Sequence, residues 1–249
     1  MIDGLDGVCK GAAVDAIVDY EKFNKVRIEV FDINEWWGTD LRNIPLHDYN
    51  PRLRDFDGCN VLVSSEPTYA GIGRRIRTEY TKKNGRKYNP RLIASAYALD
   101  RYELYTTTII PARTKGIDVI QSGGVVTNIV YQMLDIANRG GSKDSLNKIL
   151  NLPGNKLAMS SDNAPTLLLI LTDSCIRSLA KIPRDKIKAD NAISEAEDFQ
   201  RSIKLHYESK CLRKLFEDRG TEVKYVDAGI SLDHTKAEAV RVWKEHLGT

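Results

Sequence analysis

A chain of 249 residues and 28.0 kDa, 42% hydrophobic and 29% charged, has the composition of one large folded domain rather than a disordered segment. A formal net charge of +3, from 37 basic and 34 acidic residues, is too weak to argue for a nucleic-acid or anionic-membrane partner, and neither is expected. The longest strongly apolar stretch, Leu167–Leu171, falls far short of the ~18–20 residues that span a bilayer, and the first residues do not read as a signal segment.

The cysteines Cys9, Cys59, Cys175 and Cys211 lack Cys-x-x-Cys spacing, and His47, His206, His234 and His246 stand apart from one another. Neither a disulfide framework nor a metal site built from side chains is expected, and a reduced, cytoplasmic protein is.

In chain order the first landmark is Gly4-Leu5-Asp6-Gly7-Val8-Cys9-Lys10-Gly11, with only three residues before it for a strand. Ala13, Ala16, Ile17 and Tyr20 then follow the i, i+3, i+4, i+7 pattern of an amphipathic helix. Val26–Phe31 reads as a strand, and 32–58, with two prolines, Trp36 and Trp37, as an insertion or excursion. Asn60–Ser64 is the next strand, Leu92, Ala96 and Leu99 begin another helical stripe, and Ile117–Gln121 is a third strand. Asn151–Asn163 reads as a loop and Thr166–Leu171 as a strand. The charged stretch from Asp190 to Asp218 carries Ile193, Phe199, Ile203, Tyr207, Cys211 and Leu215 on one face. Gly220 ends it before a last strand, Glu222–Val226. Short continuous apolar strands alternating with helices predict an α/β fold: one doubly wound domain over residues 1–249, with a five-stranded parallel sheet covered by helices on both faces.

The segment from Gly4 to Gly11 has the frame G-x-x-x-x-G-K-[S/T]. A glycine-rich turn that feeds a helix N-terminus aims several backbone N–H groups, and the positive end of the helix dipole, at one point where a phosphate can sit. Lys10 adds a mobile charge. Cys9 stands where the second glycine belongs, and neither Gly11 nor Ala12 offers the hydroxyl that would hold Mg²⁺.

Four further motifs follow in order: Ser65-Glu66-Pro67-Thr68 with Gly73-Arg74-Arg75-Ile76-Arg77 behind it, Tyr97-Ala98-Leu99-Asp100-Arg101, Thr127-Asn128-Ile129-Val130-Tyr131-Gln132, and Phe199-Gln200 with Tyr207. With Gly4-Leu5-Asp6-Gly7 they resemble the thymidylate kinase family over nearly the whole chain. The resemblance implies a three-layer P-loop NTPase fold with a lid over about 177–194, and transfer of a phosphoryl group from ATP, with Mg²⁺, to dTMP or another nucleoside monophosphate. It implies an ATP site at Gly4, Leu5, Asp6, Gly7, Val8, Cys9, Lys10, Gly11 and Ala12, with Arg184 from the lid, and catalytic roles for Lys10 and Asp6. It implies an acceptor site formed by Asp6, Glu66, Arg77, Tyr97, Arg101, Thr127, Asn128, Tyr131 and Gln132, with the base stacked on Tyr97. A homodimer is implied by the resemblance as well.

The chain departs from the family pattern after Val119-Ile120-Gln121, where Ser122-Gly123-Gly124 replaces the family's Asp-Arg-Tyr. An arginine in such a position is worth ~10³–10⁵ in rate. Two readings follow from the same motifs: a dTMP kinase whose metal is held through the donor phosphates, and a catalytically impaired nucleotide-binding or scaffold relative.

Overall fold

The structure, a computed structural model, describes residues 1–24, 28–38, 47–82, 85–138, 145–173 and 192–248. The elements begin with β1 (Ile2–Gly4), α1 (Lys10–Asn24), β2 (Val30–Asp32), α2 (Ile33–Trp37), a 3₁₀ turn at Leu53–Asp55 and β3 (Val61–Ser65). Next come α3 (Gly71–Arg75), a π-helical turn (Ile76–Tyr80), α4 (Pro90–Leu104), a second π-helical turn (Tyr105–Ile109), α5 (Ile110–Thr114) and β4 (Asp118–Ser122). The remainder is α6 (Val125–Asn138), α7 (Ser145–Leu150), α8 (Pro153–Ala158), β5 (Leu167–Thr172), α9 (Ala192–Tyr207), α10 (Lys210–Glu217), β6 (Glu222–Asp227) and α11 (Leu232–Leu247).

The chain forms two compact units, one of Met1–Asn24 with Pro165–Thr249 and one of Lys25–Ala164. In the first, β5 lies between β1 and β6 and runs parallel to both, with Gly4 opposite Leu171 and Leu168 opposite Val223. Leu167–Leu171 is buried throughout, as a continuous apolar strand should be when helices cover the sheet. Helix α1 turns Ala13, Val14, Ile17 and Val18 inward and packs along α11, where Trp243 Nε1 donates to Glu21 Oε1 at 2.6 Å. In the second unit β3 lies between β2 and β4, again parallel, with Val63 opposite both Asp32 and Ile120.

The α/β class and the helix-covered parallel strands agree with expectation; the strand count does not. Six strands are described, three in each unit, because the three residues Ile2–Gly4 do pair as β1. The strand expected at Val26–Phe31 begins only at Val30, and residues 25–27 lie outside the described part. The 32–58 segment holds α2, whose first turn is capped by Asp32 accepting from Asn34 N at 2.7 Å. Trp37 there is buried, its Nε1 donating to the Tyr49 carbonyl at 3.2 Å, while Trp36 stacks on His47 at 3.8 Å. The stretch from Asp190 to Asp218 is two helices, broken where the Ser209 hydroxyl caps α10 by accepting from Leu212 N. No helix among the described residues is long and apolar enough to cross a membrane.

Two corrections share one cause. The stripe read from Leu92, Ala96 and Leu99 is not the packed face of α4: Leu99 is 58% exposed, and Ala94, Ala98, Arg101 and Leu104 point inward. Asn151–Asn163 is not simply a loop, since Pro153 opens the short helix α8 at its first turn, the position that suits a residue without an N–H. The two helices meet backbone to backbone. A Cβ on Gly154 would overlap the Ala98 carbonyl oxygen and stand 2.8 Å from Tyr102 N, so only glycine lets α8 lie this close. A small residue, Ala98, therefore stands on α4 where α8 crosses it. Gly154→Ala must push α8 off α4 and is expected to cost about 3 kcal/mol, the upper end for overpacking. The midpoint of urea unfolding measures it.

Candidate functional site

In the first unit the chain leaves β1 through Gly4, at φ 143° and against the Leu171 carbonyl, where a Cβ would overlap that oxygen. Asp3, fully buried, accepts from Gly4 N at 2.7 Å and from the Tyr207 hydroxyl at 2.8 Å, which ties α9 to the start of the loop. Leu5 and Val8 are buried beneath the loop, while Asp6, Cys9 and Gly11 are exposed and Gly7 and Ala12 half-buried. Lys10 opens α1 and folds back, its ammonium donating to the Gly4 and Leu5 carbonyls at 2.9 and 2.8 Å. That leaves the third ammonium hydrogen for a ligand. No acidic residue stands in the first turn of α1 to offset the helix dipole there.

Cys9 is the one non-glycine residue with positive φ among those described, at φ 60°. A side chain in this left-handed region costs ~1–2 kcal/mol, and the backbone here takes a conformation that favours glycine. At Gly11 an added Cβ would meet nothing within 4 Å, so space for the missing hydroxyl is present.

In the second unit the chemistry gathers beyond the carboxyl ends of β3 and β4, the customary ligand side of a parallel sheet. Glu66 follows β3 directly, and its N–H donates to the Ser122 carbonyl at the end of β4 at 3.2 Å. The Arg101 side chain, 0% exposed, forms an ion pair with Glu66, 2% exposed, using both Nε and Nη2. Arg101 Nη1 donates to Asn155 Oδ1 and to Asn128 Oδ1, the latter at 3.4 Å. Asn155 Nδ2 donates to Asn128 Oδ1 at 3.0 Å and to the Ile149 carbonyl at 2.8 Å, and Gln121 Nε2 donates to Glu66 Oε1 at 2.7 Å. Tyr105, in the second π-helical turn, donates to Gln121 Oε1 at 3.5 Å, and burial pushes its phenol pKa up.

Beside this network Arg77 sits on the π-helical turn after α3. Its Nε donates to the Pro67 and Thr68 carbonyls at 2.8 and 3.2 Å, its Nη2 to the Pro67 carbonyl, and its guanidinium lies 3.9 Å from the centre of the Tyr69 ring. Burial lowers the Arg77 pKa, and Tyr69, Tyr97 and Asp100 hold it up. Asp100 accepts from Thr68 N at 2.8 Å and from the Thr68 hydroxyl at 2.6 Å. Burial nevertheless pushes its carboxyl up to about 7.

Of the residues named from sequence, Glu66, Arg101 and Asn128 meet in one cluster, with Arg77 and half-buried Tyr97 close to Asp100 at its flank. Thr127 and Tyr131 are half-buried on α6. The Gln132 side chain, Arg177, Lys181, Arg184 and most of the 177–194 lid lie outside the described residues. Sequence reasoning missed Gln121, Asn155, Asp100 and Asp3. Pro153 as a helix start could have raised Asn155; Asp100 and Gln121 stood within or beside motifs already singled out, but nothing in their spacing pointed to their partners Thr68 and Glu66.

Removing one partner of a buried ion pair leaves the other charge desolvated. Arg101→Met alone is expected to cost ~3–5 kcal/mol, and Glu66→Gln with Arg101→Met to recover much of it; urea unfolding of the single and double variants measures both. Asp100 gives a pH signature. Its folded pKa lies above the ordinary value of 3.8, so the folded form holds its proton longer and stability falls as pH rises from about 4 to 7. Asp100→Asn should remove ~2–4 kcal/mol of that fall in unfolding curves at the two ends of the window. The Asn amide can still donate to the Thr68 hydroxyl, which can turn to the Ala70 carbonyl at 3.2 Å.

No protein-family model matches the chain, and a search of curated proteins found no matching relative.

Proposed function

We propose that the chain is a nucleotide phosphotransferase of the thymidylate-kinase type on a three-layer P-loop NTPase fold, converting ATP and dTMP to ADP and dTDP. The observation that carries the reading is the loop from Gly4 to Lys10: a glycine turn in contact with Leu171, an undisturbed helix N-terminus, and an ammonium folded over the turn. Such a loop suits the β- and γ-phosphates of a triphosphate. An oxygen of the acceptor phosphate would attack the γ-phosphorus while the bond to the β–γ bridging oxygen breaks, and Lys10 would neutralise charge on the departing ADP.

Arg77 and Tyr97 suit the acceptor phosphate and base, a guanidinium for the dianion and a ring for stacking. Arg101 and Glu66 act as positioning residues in this reading, since each is already satisfied by the other. The residues present do not fit a protein-held metal: Gly11 and Ala12 carry no hydroxyl, and no group of three or more His, Cys, Asp or Glu is assembled among the described residues. Mg²⁺ bound to the triphosphate would supply charge neutralisation. A cytoplasmic location and a homodimer belong to the same proposal; Cys9, Cys59 and Cys211 are free thiols, and Leu92, Leu99 and Tyr102 are exposed on α4.

A second reading, a nucleotide-binding relative without turnover, is favoured by one observation in particular. The Arg101 guanidinium is wholly enclosed, and Ser122-Gly123-Gly124 supplies no replacement cation after β4. A coupled assay for ADP release with dTMP, dUMP and other monophosphates separates the two. Turnover above background supports the kinase; dTMP binding by calorimetry with no turnover supports the second reading. Cys9→Gly with Gly11→Thr, which relieves the positive φ and uses the open space at Gly11, is expected to tighten ATP binding about tenfold, a gain of ~1.4 kcal/mol.

A further inference from the structure

The weak net charge conceals its distribution. Residues 74–91 contain eight basic side chains and one acidic one, a formal +7, so the rest of the +3 chain is net negative by four. Lys83 of this stretch lies outside the described residues; Arg74, Arg75 and Arg86 come together around one recess of the second unit, and Lys82, Lys87 and Arg91 follow in the same segment between α3 and the start of α4. Arg75, Lys82, Arg86, Lys87 and Arg91 are exposed. The single acid, Glu79, accepts from Arg86 at 2.6 Å and from the Tyr88 hydroxyl, so it is itself covered by the basic surface. An open recess of about 660 Å³ is lined by Arg74, Arg75, Arg86 and Thr78, with Asp48 and Glu79 at its wall. Two half-buried tyrosines stand among the charges: Tyr80 and Tyr88 meet edge to face at 4.9 Å, and the Arg75 guanidinium lies 5.7 Å from the Tyr80 ring.

From this surface we infer a binding site for single-stranded nucleic acid. The exposed arginines and lysines face a phosphate backbone, and the Tyr80–Tyr88 pair with Arg75 offers flat faces for unpaired bases. That combination distinguishes a single strand from a duplex, whose bases are already stacked. Arg77, half-buried and turned onto Pro67 and Tyr69, takes no part. The site does not depend on the phosphotransferase reading.

Fluorescence anisotropy of a labelled mixed-sequence oligonucleotide of about twenty nucleotides, titrated with the full chain, tests the proposal. With five phosphates neutralised, log K should fall with log salt at a slope of about −3.5, so affinity drops roughly 100-fold between about 50 and 200 mM salt. Lys82→Gln, Lys87→Gln and Arg91→Gln together should bring the slope near −1.4, while Lys22→Gln, Lys210→Gln and Lys214→Gln leave it unchanged. Circular dichroism checks that both variants are folded. Absence of binding at the lower salt, or binding indifferent to the first set of substitutions, overturns the site. Equal affinity for the duplex overturns the single-strand assignment, and binding to phosphatidylserine vesicles without binding to the oligonucleotide overturns the choice of partner.

Discussion

A guanidinium with no exposed surface, facing a carboxylate almost as enclosed, governs how the second unit is assembled. Taking two such charges out of water costs several kcal/mol each, and their attraction compensates only where the remaining donors and acceptors are also satisfied. Gln121 on β4, Asn128 on α6 and Asn155 on α8 meet that demand, each from a different element. Arg101 on α4 and Glu66 at the end of β3 thereby fix the positions of five elements at one point. Gly154 belongs to the same constraint, because Asn155 reaches Arg101 only if α8 lies directly on the α4 backbone.

The loop from Gly4 to Lys10 obeys a different constraint, one of backbone geometry. Gly4 must lie against Leu171 and Asp3 must hold the Gly4 N–H, so the turn is imposed by β5 and by Tyr207 as well as by its own residues. This explains how Cys9 can occupy a left-handed conformation: the surrounding structure over-determines the turn, and a local cost of ~1–2 kcal/mol is absorbed.

The sequence made the strand–helix alternation and the loop legible because both rest on local patterns: continuous apolar runs such as Leu167–Leu171, and glycines ahead of a helix-period segment. It misled on α4, where Leu92 and Leu99 look like a packed stripe. The inner face there is chosen by the close approach of α8 and by a buried ion pair, and neither leaves a periodic trace. Glu66, Arg101 and Asn128 were found through resemblance and do meet in space, but their mutual pairing could not be read from spacing. Asn155 was missed because its place in the cluster depends on side chains 27 and 54 positions away. The basic stretch from Arg74 to Arg91 was visible but averaged away in the net charge, which measures amount rather than placement.

These constraints bear on how the proposed phosphotransferase would divide its labour. Phosphoryl transfer needs cations that meet charge as it develops, and a cation already neutralised by a buried carboxylate contributes little to that. Arg101 is neutralised in this way; Arg77 is held by neutral carbonyls and a tyrosine ring, so its charge remains uncompensated by any carboxylate within hydrogen-bond reach among the described residues. Lys10, held by two carbonyls, is in the same condition. Under the proposed reading, acceptor and donor phosphates would therefore be met by Arg77 and Lys10, with the Arg101–Glu66 pair as the rigid base behind Arg77. The resemblance assigns Arg101 to the nucleotide; the electrostatics of its burial assign it to the scaffold.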